Sequence, residues 1–294
     1  MSFAAVLRIL GLLLTVFSFS LLPPLVVALV TQDGAAVAFA SAFALTLGIG
    51  ILSWLPVRNK KRELRLRDGF IVVVMFWTVL SSIGALPFVL ADDPHLSLTD
   101  AVFESVSGLT TTGATVITHL EGLPKSILYY RQQLQWLGGM GIIVLAVAVL
   151  PMLGIGGMQL YRAETPGPMK DSKLTPRITE TAKALWYIYL SLTIACGLAY
   201  WLAGMSLFDA VGHAFSTVAI GGFSTHDASM GYFNSPVIDL IAVVFMFLAG
   251  VNFSLHFVAF RHHSVSGYWR DSEFRFYVLL MSSVILVTVL GLYL

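Results

Sequence analysis

The sequence predicts an all-α polytopic membrane protein, and three observations carry that prediction. Of its 294 residues, 57% are hydrophobic and 11% charged, and the mean hydropathy of +0.84 lies far above that of a water-soluble domain. Seven apolar runs, near 9–30, 35–57, 70–91, 128–153, 183–204, 236–260 and 274–294, approach the length of about 20 residues that a helix needs to cross a bilayer. With the N-terminus in the cytoplasm, 15 of the 17 Lys and Arg residues fall on the cytoplasmic side. That asymmetry is the one the positive-inside rule describes.

Composition excludes several function classes. The net charge is +1, so no electrostatic surplus points to nucleic acid. The single cysteine, Cys196, forms no intrachain disulfide and no zinc site by itself, and it sits in an apolar run where core packing accounts for it.

In chain order, the first run comes after Arg8 and is too long, with no small-residue cleavage site, for a removed leader; it reads as a retained helix kinked or ended near Pro23-Pro24. The second run ends at a linker with six basic residues between Arg58 and Arg67. The third and fourth runs bracket a short segment, 96–118, and the fifth and sixth bracket another, 205–226. Between these pairs lies a cytosolic stretch from Arg162 to Lys183, holding Lys170, Lys173 and Arg177 among Pro166, Pro168 and Pro176. A basic patch for anionic lipid or a cytosolic subunit and an ordinary solvated loop are both readings of it. The seventh run succeeds Arg270-Asp271 much as the third succeeds Arg67-Asp68.

The two short segments resemble each other. Ser97–Thr115 aligned without a gap on Ser206–Ser224 gives 7 identities in 19 positions, where chance gives about one or two. The unit of the repeat is span, short element, span. Each element opens on a capping signature, Ser97 with Asp100 and Ser206 with Asp209, and then runs apolar for about three turns. A helix of that length reaches about 15–18 Å, half of the membrane. It enters from outside and stops near the middle, with the negative end of its dipole toward the bilayer centre, where it favours a cation. Each helix then gives way to a stretch of poor helix formers, Thr110-Thr-Thr-Gly-Ala-Thr115 in one copy and Ala219-Ile-Gly-Gly-Phe-Ser224 in the other. Non-helical backbone at that depth needs protein or a water-filled path around it. Glycine at the matched positions Gly113 and Gly222 frees the backbone to aim successive carbonyls at an ion.

This arrangement, with Thr-Thr-Thr-Gly-Ala at 110–114 and a diverged copy at 219–224, resembles the Trk/Ktr/HKT superfamily of potassium transporters. The two additional N-terminal spans, the basic linker Arg58–Arg67 and Trp136-Leu-Gly-Gly-Met-Gly-Ile142 narrow the resemblance to the bacterial TrkH-type subunits. The resemblance implies a multi-pass protein of the cytoplasmic membrane whose two N-terminal transmembrane helices precede repeated helix, pore helix with filter loop, helix units of potassium-channel type. By position it divides the chain into 1–68, the two helices and linker; 69–165, a first pore repeat; 166–268, a second; and 269–294, the start of a third. It implies filter carbonyls at Thr111, Thr112 and Gly113 and at Ile220, Gly221 and Gly222. Potassium is then the transported ligand, with no cofactor and no catalytic residue, and the implied partners are membrane lipid, a second copy in a homodimer and a cytosolic nucleotide-binding subunit of TrkA type. The family's pore needs four such repeats, and this sequence carries two filter segments and stops at Leu294. Two expectations result: completion by further copies or a second polypeptide, and a truncated non-conducting assembly fragment. A polytopic membrane enzyme is the rival from another class, and its candidate groups are scattered on both membrane faces.

Other polar residues have plainer readings. His213 stands in the second short helix where Glu104 stands in the first, and a hydrogen-bonded role behind the filter fits it better than direct ion contact. Arg131, Gln132, Gln133, Gln135 and Asn252 either face a pore or bridge helices. His256, His262 and His263 read as cytosolic interface residues, and Gly154-Ile-Gly-Gly157 as a bend where the chain leaves the bilayer. Asp92, Asp93, Asp100, Glu104, Glu121 and Asp227 fall on or toward the outer side, as a mildly acidic mouth or as solvated loops.

Overall fold

The computed structural model describes residues 3–59, 66–141 and 178–293. Every regular element among them is helical. In chain order these are α1 (Phe3–Phe19), α2 (Leu22–Thr31), α3 (Ala36–Trp54), α4 (Leu66–Gly84), α5 (Leu86–Leu90), α6 (Leu98–Leu109), α7 (Lys125–Gly139), α8 (Ile178–Leu202), α9 (Leu207–Val218), α10 (Pro236–Ala249), α11 (Phe253–His262), α12 (Ser266–Arg270) and α13 (Ser272–Tyr293).

Among the described residues, five stretches are long and apolar enough to cross a membrane: Ala4–Thr31, Ala36–Val57, Ile71–Leu90, Lys183–Leu202 and Ser272–Leu292. They coincide with five of the seven runs. The first is interrupted between α1 and α2, where the proline pair occupies the opening turn of α2, its missing N–H groups falling among donors that a helix start leaves free. The run at 236–260 is not one helix: α10 and α11 meet at 89°. Asn252 causes the break, its side-chain oxygen accepting the Ser254 N–H at 3.0 Å and so starting a new helix. Of the run at 128–153, α7 covers the beginning; the Gly154 bend, Lys170, Lys173, Arg177 and most of the basic linker lie outside the described residues.

Small residues set the closest packing. A methyl group built on Gly11 of α1 comes within 2.8 Å of the Gly50 carbonyl oxygen of α3, and one built on Gly50 within 2.7 Å of the Thr15 nitrogen. The two backbones touch there, the usual device for joining helices in lipid, where apolar bulk has no preference for protein over acyl chain. One apolar core joins α1–α5 to α6 and α7. Tyr130 of α7 is wholly buried in it, donating to the Gly84 carbonyl at 2.9 Å and meeting the rings of Phe39 and Phe88. A second core holds α8, α9 and α10, with Cys196 fully buried among apolar neighbours.

Candidate ion-conduction site

The two short helices have the predicted length, 12 residues each, or about 18 Å. Ser97 accepts the Asp100 N–H at 3.2 Å and Ser206 the Asp209 N–H at 3.1 Å. The reciprocal bond differs from the standard capping box, because each carboxylate takes the serine hydroxyl proton, at 2.8 and 2.7 Å.

The C-terminal ends match bond for bond. Thr111 N–H donates to the Gly108 carbonyl and Thr112 N–H to that of Ser107; Ile220 donates to Thr217 and Gly221 to Ser216, all at 2.8–3.1 Å. This pair of bonds is the Schellman closure, and its left-handed position is normally glycine. Here it is Thr111 and Ile220, both with φ of 54°. Two residues on, Gly113 and Gly222 have φ of 77° and 86°. The backbone of 110–113 is thus reproduced in 219–222, with three helix carbonyls closed off and the next carbonyls left to other partners.

The two segments lie side by side. A side chain on Gly113 would run into the Gly221 carbonyl. Behind them stands α7, whose polar residues clasp the second segment: Gln135 accepts the Phe223 N–H at 3.0 Å and Gln132 donates to the Phe223 carbonyl at 3.3 Å. Arg131, fully buried, donates to Glu104 at 2.7 Å, to Thr115 Oγ1 at 2.9 Å and to the Ser224 carbonyl at 3.3 Å, with its guanidinium 4.4 Å from the Phe223 ring centroid.

Residues 35–294 match the family model described as a cation transport protein, TrkH. The chain belongs to the TrkH family. It is 62% identical over 98% of its length to the Trk system potassium uptake protein TrkH of Vibrio parahaemolyticus, covering 60% of that relative. Against the Escherichia coli K12 protein of the same name the identity is 56%, over 100% of this chain and 61% of the relative. The crystal structure of the potassium transporter TrkH from Vibrio parahaemolyticus superposes with a TM-score of 0.85 at 58% identity, over 98% of this chain and 58% of that one. The chain therefore spans about three fifths of the length of the relatives it matches.

Within this TrkH-family chain the repeat extends beyond the motifs to the hydrogen bonds. The Thr115 hydroxyl donates to both Glu104 oxygens at 3.0 Å and accepts the Ile117 N–H. At the corresponding places, the Ser224 hydroxyl meets His213 Nε2 at 2.9 Å and accepts the His226 N–H at 3.1 Å. His213 Nδ1 lies 2.9 Å from the Asp209 carbonyl, which only accepts, so Nδ1 carries a proton and donates there. The hydrogen-bonded role expected of His213 is the one it has.

The polar residues of α7 whose role was open are bridging. Arg131, Gln132 and Gln135 join the repeats, and Gln133 donates to the Ser20 carbonyl of the N-terminal helices. Sequence reasoning missed the partnership of Glu104 with Arg131, since 27 residues separate them and each has a commoner surface reading. It also missed Asp33. That carboxylate accepts the Ser126 N–H at 2.8 Å, fixing the start of α7 to the loop before α3. His256 donates to the Leu248 carbonyl at 2.9 Å and meets the Tyr268 hydroxyl at 2.7 Å, holding the bend between α10 and α11. His262 and His263 are exposed, in keeping with the surface reading. Glu121 accepts the Asp227 N–H and Asp227 the Leu120 N–H, both at 3.2 Å. Glu121 and Asp227 thus lace together the loops that follow the two short segments.

Proposed function

We propose that this chain takes part in potassium uptake across the bacterial cytoplasmic membrane, and that the ion is held by the backbone carbonyls of Thr111, Thr112, Gly113, Ile220, Gly221 and Gly222. The observation that carries the reading is the pairing of two capped half-length helices, each leading into the same left-handed turn and glycine, set side by side on α7. The names of the relatives, Trk system potassium uptake proteins, support it. Carbonyls replace the hydration shell of a potassium ion, and the two helix C-termini add negative potential where the ion sheds its water. No bond is made or broken, so the work is done by spacing and dipole direction.

On this reading 1–68 is an N-terminal hairpin, 69–165 and 166–268 are pore repeats and 269–294 opens a third. The cytosolic N-terminus rests on the placement of 15 of 17 basic residues. The partners proposed are a second copy, lipid and a cytosolic nucleotide-binding subunit of TrkA type, which the Trk-system naming of the relatives supports.

The test is growth of a potassium-uptake-deficient bacterium at low external potassium, with membrane insertion verified. The chain is expressed alone and also continued with the remaining length of the Vibrio parahaemolyticus relative. Growth in either form, lost on Gly113→Ser, is the expected result. Inserted protein that restores growth in neither form overturns the reading.

A further inference from the structure

Arg131 occupies a place that neither repeat explains. In the first copy the carboxylate of Glu104 receives the Thr115 hydroxyl and the Val116 N–H; in the second, His213 meets the Ser224 hydroxyl with no added cation. Arg131 is the extra part, and its side chain and that of Glu104 are 1% and 0% exposed. Each of its three nitrogens has its own acceptor: Nε on Glu104 in α6, Nη2 on Thr115 after the first segment, Nη1 on the Ser224 carbonyl after the second. The Phe223 ring lies against the guanidinium face.

We propose that Arg131 is a positioning residue that sets the spacing between the two filter segments, with Glu104 as its counter-charge. A planar fork with fixed donor directions holds three acceptors at set distances from one another, which a point charge on a flexible stem does not do. The segments on either side have no other rigid spacer of this kind among the described residues; the glutamine bonds of α7 reach only the second. The ion pair also cancels its own charge beside the ion path, so the cation meets the carbonyl dipoles rather than a bare carboxylate or guanidinium. The proposal rests on the filter reading given above.

Arg131→Gln alone strands a buried carboxylate, so the informative variants are Arg131→Lys, which keeps the charge, and the neutral double variant E104Q/R131Q. Two readouts are taken on inserted protein: inhibition of potassium uptake by sodium, and hydrogen exchange of 110–117 and 220–226 in lipid nanodiscs. In both variants, exchange is expected to quicken in both segments together. Discrimination between potassium and sodium is expected to fall about tenfold, the change that loss of one charged hydrogen bond produces. Unchanged exchange at 220–226 in Arg131→Lys overturns the proposal. Quickened exchange in both segments with discrimination intact keeps the spacer and overturns the filter reading instead.

Discussion

Thr111 and Ile220 hold the least comfortable backbone at the site. A left-handed conformation costs an L residue about 1–2 kcal/mol, and β-branching adds to the crowding. Both residues nevertheless take φ of 54° at the same register. Strain kept twice in the same place marks a position where chain direction outweighs stability. The neighbouring glycines separate two effects. At Gly222 an added Cβ meets nothing within 4 Å, whereas at Gly113 it collides with the Gly221 carbonyl. Gly222→Ser therefore carries only the left-handed penalty of about 1–2 kcal/mol, and Gly113→Ser also displaces the facing segment. Sodium competition against potassium uptake should show the larger loss of discrimination in Gly113→Ser; equal losses would contradict this geometry. Both glycines were legible in the sequence because the repeat aligns them. Thr111 and Ile220 were not legible as turn residues, since nothing in a β-branched side chain signals a positive φ.

At the scale of elements, helix packing and helix breaks divide along the same line. The Gly11–Gly50 contact leaves no room for a side chain, while Gly48, on the same helix, has nothing within 4 Å of a built Cβ. Gly50→Leu should destabilise the protein by about 1–3 kcal/mol, the cost of overpacking, and Gly48→Leu should leave the thermal unfolding in detergent near that of the parent. A matched drop in both would remove the contact from the account. The spans and the two capped helices were readable from apolar run length and Ser-x-x-Asp spacing, which are local properties. The break at Asn252 lay in plain view as a cap residue, yet the apolar residues on both sides read as a single span. Arg131, Gln132 and Gln135 sit on one helix but act on a segment about 90 residues away, a relation that no local pattern encodes.

For the molecule as a whole, the question is how the N-terminal hairpin is fastened to the repeats. Tyr130 does so within the core, where its ring packs edge-on against Phe39 of α3, and Asp33 does so at the surface, through the first turn of α7. Burial pushes the Asp33 carboxyl up, but the N–H groups of Ser126 and Ala35 and the Thr31 hydroxyl outweigh it and hold it below the ordinary value. A group depressed in the folded state contributes stability above its unfolded value of about 3.9 and loses it as pH falls through the folded one. Asp33→Asn should thus lower the unfolding temperature near neutral pH, and the gap from the parent should close below about pH 4. A gap that persists in acid would mean the bond acts through shape and not charge. The repeats themselves keep one wiring with unlike chemistry: a hydroxyl donates to a carboxylate in one copy and meets an imidazole in the other. A change at Glu104 or Arg131 alone strands a buried charge, whereas His213 is held by two hydrogen bonds, to the Asp209 carbonyl and the Ser224 hydroxyl. In the first copy a single substitution therefore leaves a buried charge without its partner, and in the second an uncharged replacement carries no such cost.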